Sequence, residues 1–501
     1  MIFIVPGTDE QISQGHLRKM VIHTLPFGIG ALASILERDA IPVAVVNDGI
    51  SPVDPKLLQD LASREPGRPV FGLTSLTLQA QRAKELLALI RRAIPGAAVI
   101  VGGIHATALP DEFLDAGFDH VFLGEADMVI TELATRLASG RALDDLPGIA
   151  WKDGSGTVRR NPPAPLMDLK DLPPFPYHLF QDDLSHYDLG AVLSSRGCPY
   201  SCIFCSQRSI TGLRYRVRPV DQVLNELGTV IDRFGIDFVT FFDDNFVVNR
   251  KRVEELCTGL IGRGYAGRAR FMCQMRGDAA TGEVLDLLKE AGFTALSFGI
   301  ETGSERIAEL IRKGETVEQN GRAVHLAHDR GFTTLGTFII GFPTETDGDR
   351  QQTLDLALSL PLDVMRVNIA IPYPGTPFFE MVRGSITISP GWANFNVVSP
   401  LVTGPFRKQP LPYVPDGADE DRLRAQMLWT NLRFWLRPAG LASFFFRKST
   451  FVTRLPARWY LQPAFLWSMA NVGLTTLLNL LWVAWSGLRS SLSGTRLRRK
   501  S

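Results

Sequence analysis

Cysteine is scarce and unevenly placed: the chain has 5 in 501 residues, and three of them fall within residues 194–207. That is too few and too clustered for the disulfide framework of a small secreted protein. An excess of either charge is also missing. Lys and Arg number 53 against 52 Asp and Glu, a net charge of +1, so no electrostatic footprint for a nucleic-acid partner is present. The opening residues, MIFIVPGTDE, lack a basic n-region and a signal-type apolar core, and the body of the protein is expected to be cytoplasmic. Disorder is excluded by composition, since 45% hydrophobic and 21% charged residues are globular values. The length suggests two to four domains.

The stretch 194–207 reads SSRGCPYSCIFCSQ and spaces Cys198, Cys202 and Cys205 as C-x3-C-x2-C. A loop this tight can aim three thiolates at one small inorganic object. An iron–sulfur cube normally takes four Cys ligands, so three leave one iron open, as a catalytic zinc keeps an open position. Structural zinc is the alternative, but no fourth Cys or His follows within the next helical turns. Cys257 and Cys273 fall in a helical and a strand pattern and read as buried free thiols.

Residues 1–145 alternate short apolar strands (1–6, 41–46, 70–74, 98–101, 120–123) with amphipathic helices (28–38, 79–93, 110–116, 126–138). This is the pattern of a Rossmann-like, flavodoxin-like parallel sheet covered on both faces. Ligands bind such sheets beyond the carboxyl ends of the strands, which here carry Thr74, Ser75, Gly102, Gly103, His105 and Glu125. Ordinary turns and helix caps are the competing reading of each. Residues 146–185 break the pattern with a hairpin around Asp153-Gly-Ser-Gly and two proline-rich runs, which read as an extended connector. From 186 to 400 six strand–helix repeats follow, with polar groups at the strand ends: Asp243, Asp244, Asn245, Arg276, Glu301 and the turn at Gly341. They predict a (β/α)6 partial TIM barrel with its chemistry at the C-terminal mouth.

The cysteine loop at the end of the barrel's first strand, with Phe204 before the last Cys, resembles the radical S-adenosylmethionine (AdoMet) superfamily. FFDDNF at 241–246, SFGIETGS at 297–304, KGET at 313–316, FIIGFPTET at 338–346 and PYPGTP at 372–377 follow in that family's order. The preceding domain, with GLTS at 72–75, VGGIHAT at 101–107 and LGEAD at 123–127, is similar to cobalamin-binding domains. The resemblance implies that the three Cys hold a 4Fe–4S cluster and that AdoMet chelates its open iron. It also implies that one electron releases a 5′-deoxyadenosyl radical, delivered by a reductant such as flavodoxin or ferredoxin. It places Asp243, Asp244 and Asn245 near the AdoMet amino group, Glu301 near the ribose or amino group, Arg276 at the carboxylate and the 341–346 turn at the adenine. The D-x-H-x-x-G string that supplies a cobalt-ligating His in many cobalamin modules does not occur, so cobalt is expected to bind without a protein His.

The activity implied is methylation of an unactivated carbon of a small-molecule or lipid-like substrate. Radical oxidation, cyclisation or rearrangement is the alternative outcome, and an iron–sulfur electron-transfer protein is the alternative class. Residues 401–501 form a helical extension with aromatics at Trp429, Phe434 and Trp435, an apolar stretch at 465–485 and a basic end. The stretch is long enough to span a membrane, yet its polar insertions suit a helix lying at the inner face or a soluble cap over the barrel equally well.

Overall fold

The computed structural model describes residues 1–8, 23–64, 67–396 and 409–437. The first sheet has seven strands: β1 Ile2–Val5, β2 Ala44–Asn47, β3 Val70–Thr74, β4 Ala98–Gly102, β5 His120–Phe122, β6 Ile149–Lys152 and β7 Val158–Arg160, in spatial order β2-β1-β3-β4-β5-β6-β7. The first five pair in parallel, giving the flavodoxin-like order 2-1-3-4-5. Alternation along each strand divides the core between two faces. Ile4, Phe71, Leu73, Val99 and Val101 pack under helix Ala80–Ala93. Phe3, Val5, Ala98 and Ile100 pack under helices Phe27–Arg38 and Ile130–Ser139.

The hairpin that the sequence placed in the connector belongs to this sheet. Strands β6 and β7 add to it antiparallel, because Ile149 and Ala150 are apolar enough to extend the core and are fully buried there. The sheet therefore runs on to Arg160. The proline-rich run then crosses the outer helices. Phe175 stacks on Phe180 and lies edge-on to Phe27, so close to the helix that a Cβ at Gly30 would stand 2.1 Å from its ring.

The second sheet is wholly parallel and six-stranded: β8 Ala191–Val192, β9 Phe238–Phe241, β10 Arg270–Met275, β11 Phe293–Glu301, β12 Thr333–Ile340 and β13 Val364–Ile369, in that order. β13 does not pair with β8, so this is the partial barrel that the six repeats predicted. Its outward residues, among them Phe241, Phe271, Phe293, Phe298 and Phe338, form the core beneath the helices.

The open edge at β13 is covered by helix Glu420–Leu436. Asn431 accepts from the Val367 N–H at 3.2 Å and donates to the Val367 carbonyl at 3.1 Å, so one side-chain amide stands in for a neighbouring strand's peptide. An unpaired sheet edge is otherwise a template for aggregation. No helix among the described residues is long and apolar enough to cross a membrane; the stretch 465–485 lies outside them.

Candidate active site

Two cavities meet across the segment 193–210, which carries the cysteines. The first, of about 360 Å³, lies at the barrel mouth and is lined by Cys198, Cys202, Cys205, Phe204, Asp243, Asp244, Asn245, Arg276, Glu301 and Lys313. The sequence brought all of these into the site except Lys313, which entered only as the first residue of KGET at 313–316. Gly341 is not part of this lining; its φ is +94 and its N–H donates to the Glu345 carboxylate, closing the turn after β12.

The acidic loop after β9 holds the approach to the cysteines. Asp243 accepts from the Ser194 N–H at 2.7 Å, the Ser195 N–H at 2.9 Å and the Ser194 hydroxyl. It is buried, and burial pushes its carboxyl up from the ordinary range against those bonds and the nearby Arg252. Asp244 accepts from the Gly197 N–H at 3.0 Å. It opens onto the cavity, yet the crowded cleft strips enough water from it to push its carboxyl up to about 6. Asn245 is only 3% exposed and neither polar atom of its amide has a partner among the described residues. A buried primary amide without bonds is costly, and this one is at the disposal of a ligand.

Arg276 is committed elsewhere. Its fork binds Asp278 at 3.0 and 2.8 Å, and its outer nitrogens donate to the carbonyls of Lys313 at 2.7 Å and Gly314 at 3.2 Å. The guanidinium lies 3.7 Å over the ring of Tyr200, inside the C-x3-C turn. With its fork spent, Arg276 does not offer a carboxylate the bidentate contact expected of it; it positions the cysteine loop. Lys313 also lines the cavity, and its ammonium stands 3.6 Å from Glu301 and 3.3 Å from Glu315. Glu301, at φ +67, is held in the left-handed region rarely adopted by a residue of this type, which aims its carboxylate off the end of β11. Lining the cavity and pairing with Lys313 are thus both true of Glu301. Tyr373 donates to the Phe395 carbonyl at 3.2 Å and closes the sheet end.

The three thiols fit an iron–sulfur group. They converge on one cavity, and burial pushes each above its usual range, the state of ligands that lose protons when a metal arrives. Cys257 and Cys273 are fully buried in the barrel core.

The second cavity, about 390 Å³, sits over the carboxyl ends of the first sheet. Thr74, Gly102, Gly103, Gly124 and Glu125 line it, with apolar walls from Phe3, Ile29, Leu32, Ile100 and Phe122. Gly103 has φ +95, and a Cβ there would stand 2.8 Å from Thr74 Oγ1 and the Ser75 nitrogen. Gly72 would meet Met1 and Phe3 as closely. An apolar slot with bare backbone at its rim fits a flat macrocycle and its tail.

Ser75 and His105 are not brought into this cavity. The Ser75 hydroxyl donates to the Leu76 carbonyl at 3.0 Å. His105 contacts Thr77 Oγ1 and the Glu112 carboxylate, each at 3.2 Å, and lies edge-on to Trp392. A buried His already bonded at both ring nitrogens is no cobalt ligand.

The cavities are clamped together by charge. Arg196, two residues before Cys198, pairs with Asp127 at 2.9 Å and Glu125 at 3.5 Å, and Arg216 pairs with Glu125 at 2.5 Å. All four side chains are at most 15% exposed. Arg218 donates to the Leu193 carbonyl and Arg252 to the Ser194 carbonyl. Asp127, Arg196 and Arg216 escaped sequence reasoning because partners so far apart in the chain leave no spacing signal.

Comparison with known proteins agrees with this geometry. A family model described as the radical SAM superfamily matches residues 192–357, and one described as the B12 binding domain matches residues 18–134. A protein of Pyrococcus horikoshii named an uncharacterized methyltransferase is 31% identical over 413 residues, 80% of this chain and 87% of that protein. The anaerobic magnesium-protoporphyrin IX monomethyl ester cyclase of Rubrivivax gelatinosus is 25% identical over 382 residues, 74% of this chain and 66% of that protein. The solved radical AdoMet methyltransferase TsrM of Kitasatospora setae, with cobalamin and a 4Fe–4S cluster bound, shares the fold at a TM-score of 0.64 and 21% identity, over 77% of this chain and 75% of that one. This chain belongs to the radical SAM superfamily, in the group of enzymes whose barrel follows a B12-binding domain.

Proposed function

We propose that the protein methylates an unactivated carbon of a small molecule, using AdoMet, a 4Fe–4S cluster and cobalamin. The observation that carries this reading is the junction of two cavities, one bearing three thiols and one an apolar, glycine-rimmed slot, across the single segment 193–210. When bound, the cluster and AdoMet supply a hydrogen-abstracting radical and the corrin supplies a methyl carrier. The chain's own residues bind, orient and enclose. Cys198, Cys202 and Cys205 would ligate the cluster. Asn245, Glu301 and Lys313 would take the polar groups of AdoMet, and Asp244 lies within the same reach. Phe204 tilts against Phe342 with ring centroids 5.7 Å apart, walling the cleft from water. Thr74, Gly102, Gly103 and Glu125 would border the corrin.

Residues 1–160 would form the cobalamin domain, 161–186 the connector and 187–396 the barrel. An external one-electron donor such as flavodoxin or ferredoxin would serve the cluster. The outer face of helix Glu420–Leu436, with Trp429 49% and Leu436 60% exposed, suits contact with an apolar surface, and removing residues beyond about 415 should then abolish sedimentation with membranes. The test of the activity is product balance under anaerobic turnover. Methyl transfer requires deoxyadenosine and S-adenosylhomocysteine together with a substrate heavier by one methyl; deoxyadenosine without the homocysteine product would indicate oxidation or cyclisation instead.

A further inference from the structure

The concave wall of the barrel carries a row of polar side chains that no other described residue engages. Met365, Val367 and Ile369 of β13 are packed in the core beneath the helices. Strand alternation therefore turns Arg366 and Asn368 to the opposite face, toward the lumen. On the neighbouring strands Thr337, Ser297 and Gln274 alternate in the same way with buried Phe338, Phe298 and Cys273. Parallel register lines them up: Gln274 stands beside Ser297, Gly299 beside Thr337 and Thr337 beside Arg366. None of these five polar side chains hydrogen-bonds or ion-pairs with another described residue.

Arg366 is distinct among the cations of this region. Arg276 is tied to Asp278, Lys313 to Glu301 and Glu315, and Arg196 to Asp127. Arg366 is exposed, on the lumen face, and pairs with no carboxylate among the described residues. The nearer wall, Phe242, Met272, Gln274 and Ser297, already belongs to the thiol-bearing cavity and carries no charge. Two strand spacings, about 10 Å, separate Arg366 from Gly299, which lines that cavity.

We propose that Arg366 is a specificity residue that binds an anionic group of the substrate, a carboxylate or a phosphate, with Thr337 and Asn368 completing the contact. A guanidinium fork matches either oxyanion. The substrate is then amphipathic: an apolar carbon framework lies over Phe242 and Met272, and its charged end is anchored about 10 Å away across the sheet. This rests on the barrel being the site of a radical AdoMet reaction and adds the substrate's chemical class.

The full-length protein, reconstituted anaerobically, is assayed for AdoMet cleavage with small-molecule extract of the host, split on an anion exchanger into retained and flow-through pools. The retained pool should stimulate deoxyadenosine formation. Arg366→Gln should need roughly 10- to 100-fold more of it for half-maximal stimulation, the worth of one charged hydrogen-bonding contact, and Arg366→Lys should recover part of the loss. The change that AdoMet induces in the cluster's EPR spectrum should be the same in all three proteins. Phosphatase treatment of the pool separates the sources: lost stimulation identifies a phosphate, retained stimulation a carboxylate. Stimulation by the flow-through alone, or coincident dose curves for wild type and Arg366→Gln, would overturn the proposal. A shifted dose curve without S-adenosylhomocysteine would refute methyl transfer while leaving Arg366 in place.

Discussion

Replacing Arg196 with Met removes the cation shared by Asp127 and Glu125 while keeping most of the side chain's volume. In the native protein these carboxylates are 5% and 6% exposed and stand 2.9 and 3.5 Å from it. Glu125 keeps Arg216 at 2.5 Å, but Asp127 is left buried without a counter-ion. Breaking a buried pair from one side costs about 3–5 kcal/mol, which at roughly 2–4 °C per kcal/mol lowers the thermal midpoint by roughly 6–20 °C. Arg196 is also two residues from Cys198, so iron incorporation should fall with the midpoint. Adding Asp127→Asn removes the orphaned charge and should recover much of the lost stability, since the penalty lies in uncompensated charge. Calorimetry of the two single variants and the double variant, with iron content measured in parallel, makes the cycle. A cost below about 1 kcal/mol for Arg196→Met, the value of a surface pair, would refute the clamp. So would a double variant no more stable than Arg196→Met alone.

Three other perturbations follow from the geometry. Burial alone would raise the Glu112 carboxyl, but hydrogen bonds from His105, Lys84 and Trp392 outweigh it and hold it at about 2. That stability is present above the ordinary carboxylate range near 4.5 and lost as pH falls toward 2; Glu112→Gln should flatten the acid limb of a melting-temperature profile, and an unchanged limb would count against the network. Arg276→Met should reduce iron loading more than Arg276→Lys, because stacking on Tyr200 and the carbonyl contacts need a long cation, whereas Lys313→Met should load iron normally and weaken AdoMet binding in equilibrium dialysis. Asn431→Leu leaves the Val367 N–H and carbonyl without partners and should destabilise by about 2–6 kcal/mol, at about 1–3 kcal/mol for each stranded group; denaturant midpoints measure it.

What could be read from the residues divides along local and distant interactions. The cysteine loop and both parallel sheets are written in spacings and apolar runs, and the strand ends at Asp243, Glu301 and Gly102 were visible where each apolar run stops. Some boundaries moved for tertiary reasons. The helix expected from 126 begins at Ile130, because Glu125 and Asp127 are held in the ion-pair loop. The helix before β9 is α-helical over Val220–Gly228 and then widens to a π-turn over Thr229–Arg233. Roles resisted reading more than positions. Arg276 lies where the sequence put it, but its partners Asp278 and the Lys313 carbonyl come from elsewhere in the loop system and spend its fork. His105 looked like a strand-end ligand until Glu112 and Trp392 closed around it. Asn431 carries no motif; only a bare strand edge gives it a task.

The most direct test of the central claim is AdoMet cleavage by the anaerobically reconstituted protein carrying Cys202→Ala. The account predicts loss of the cluster's visible absorbance and of all deoxyadenosine formation, with Cys257→Ala, whose thiol is fully buried in the barrel core, retaining both. Undiminished cleavage by the Cys202→Ala protein would contradict it.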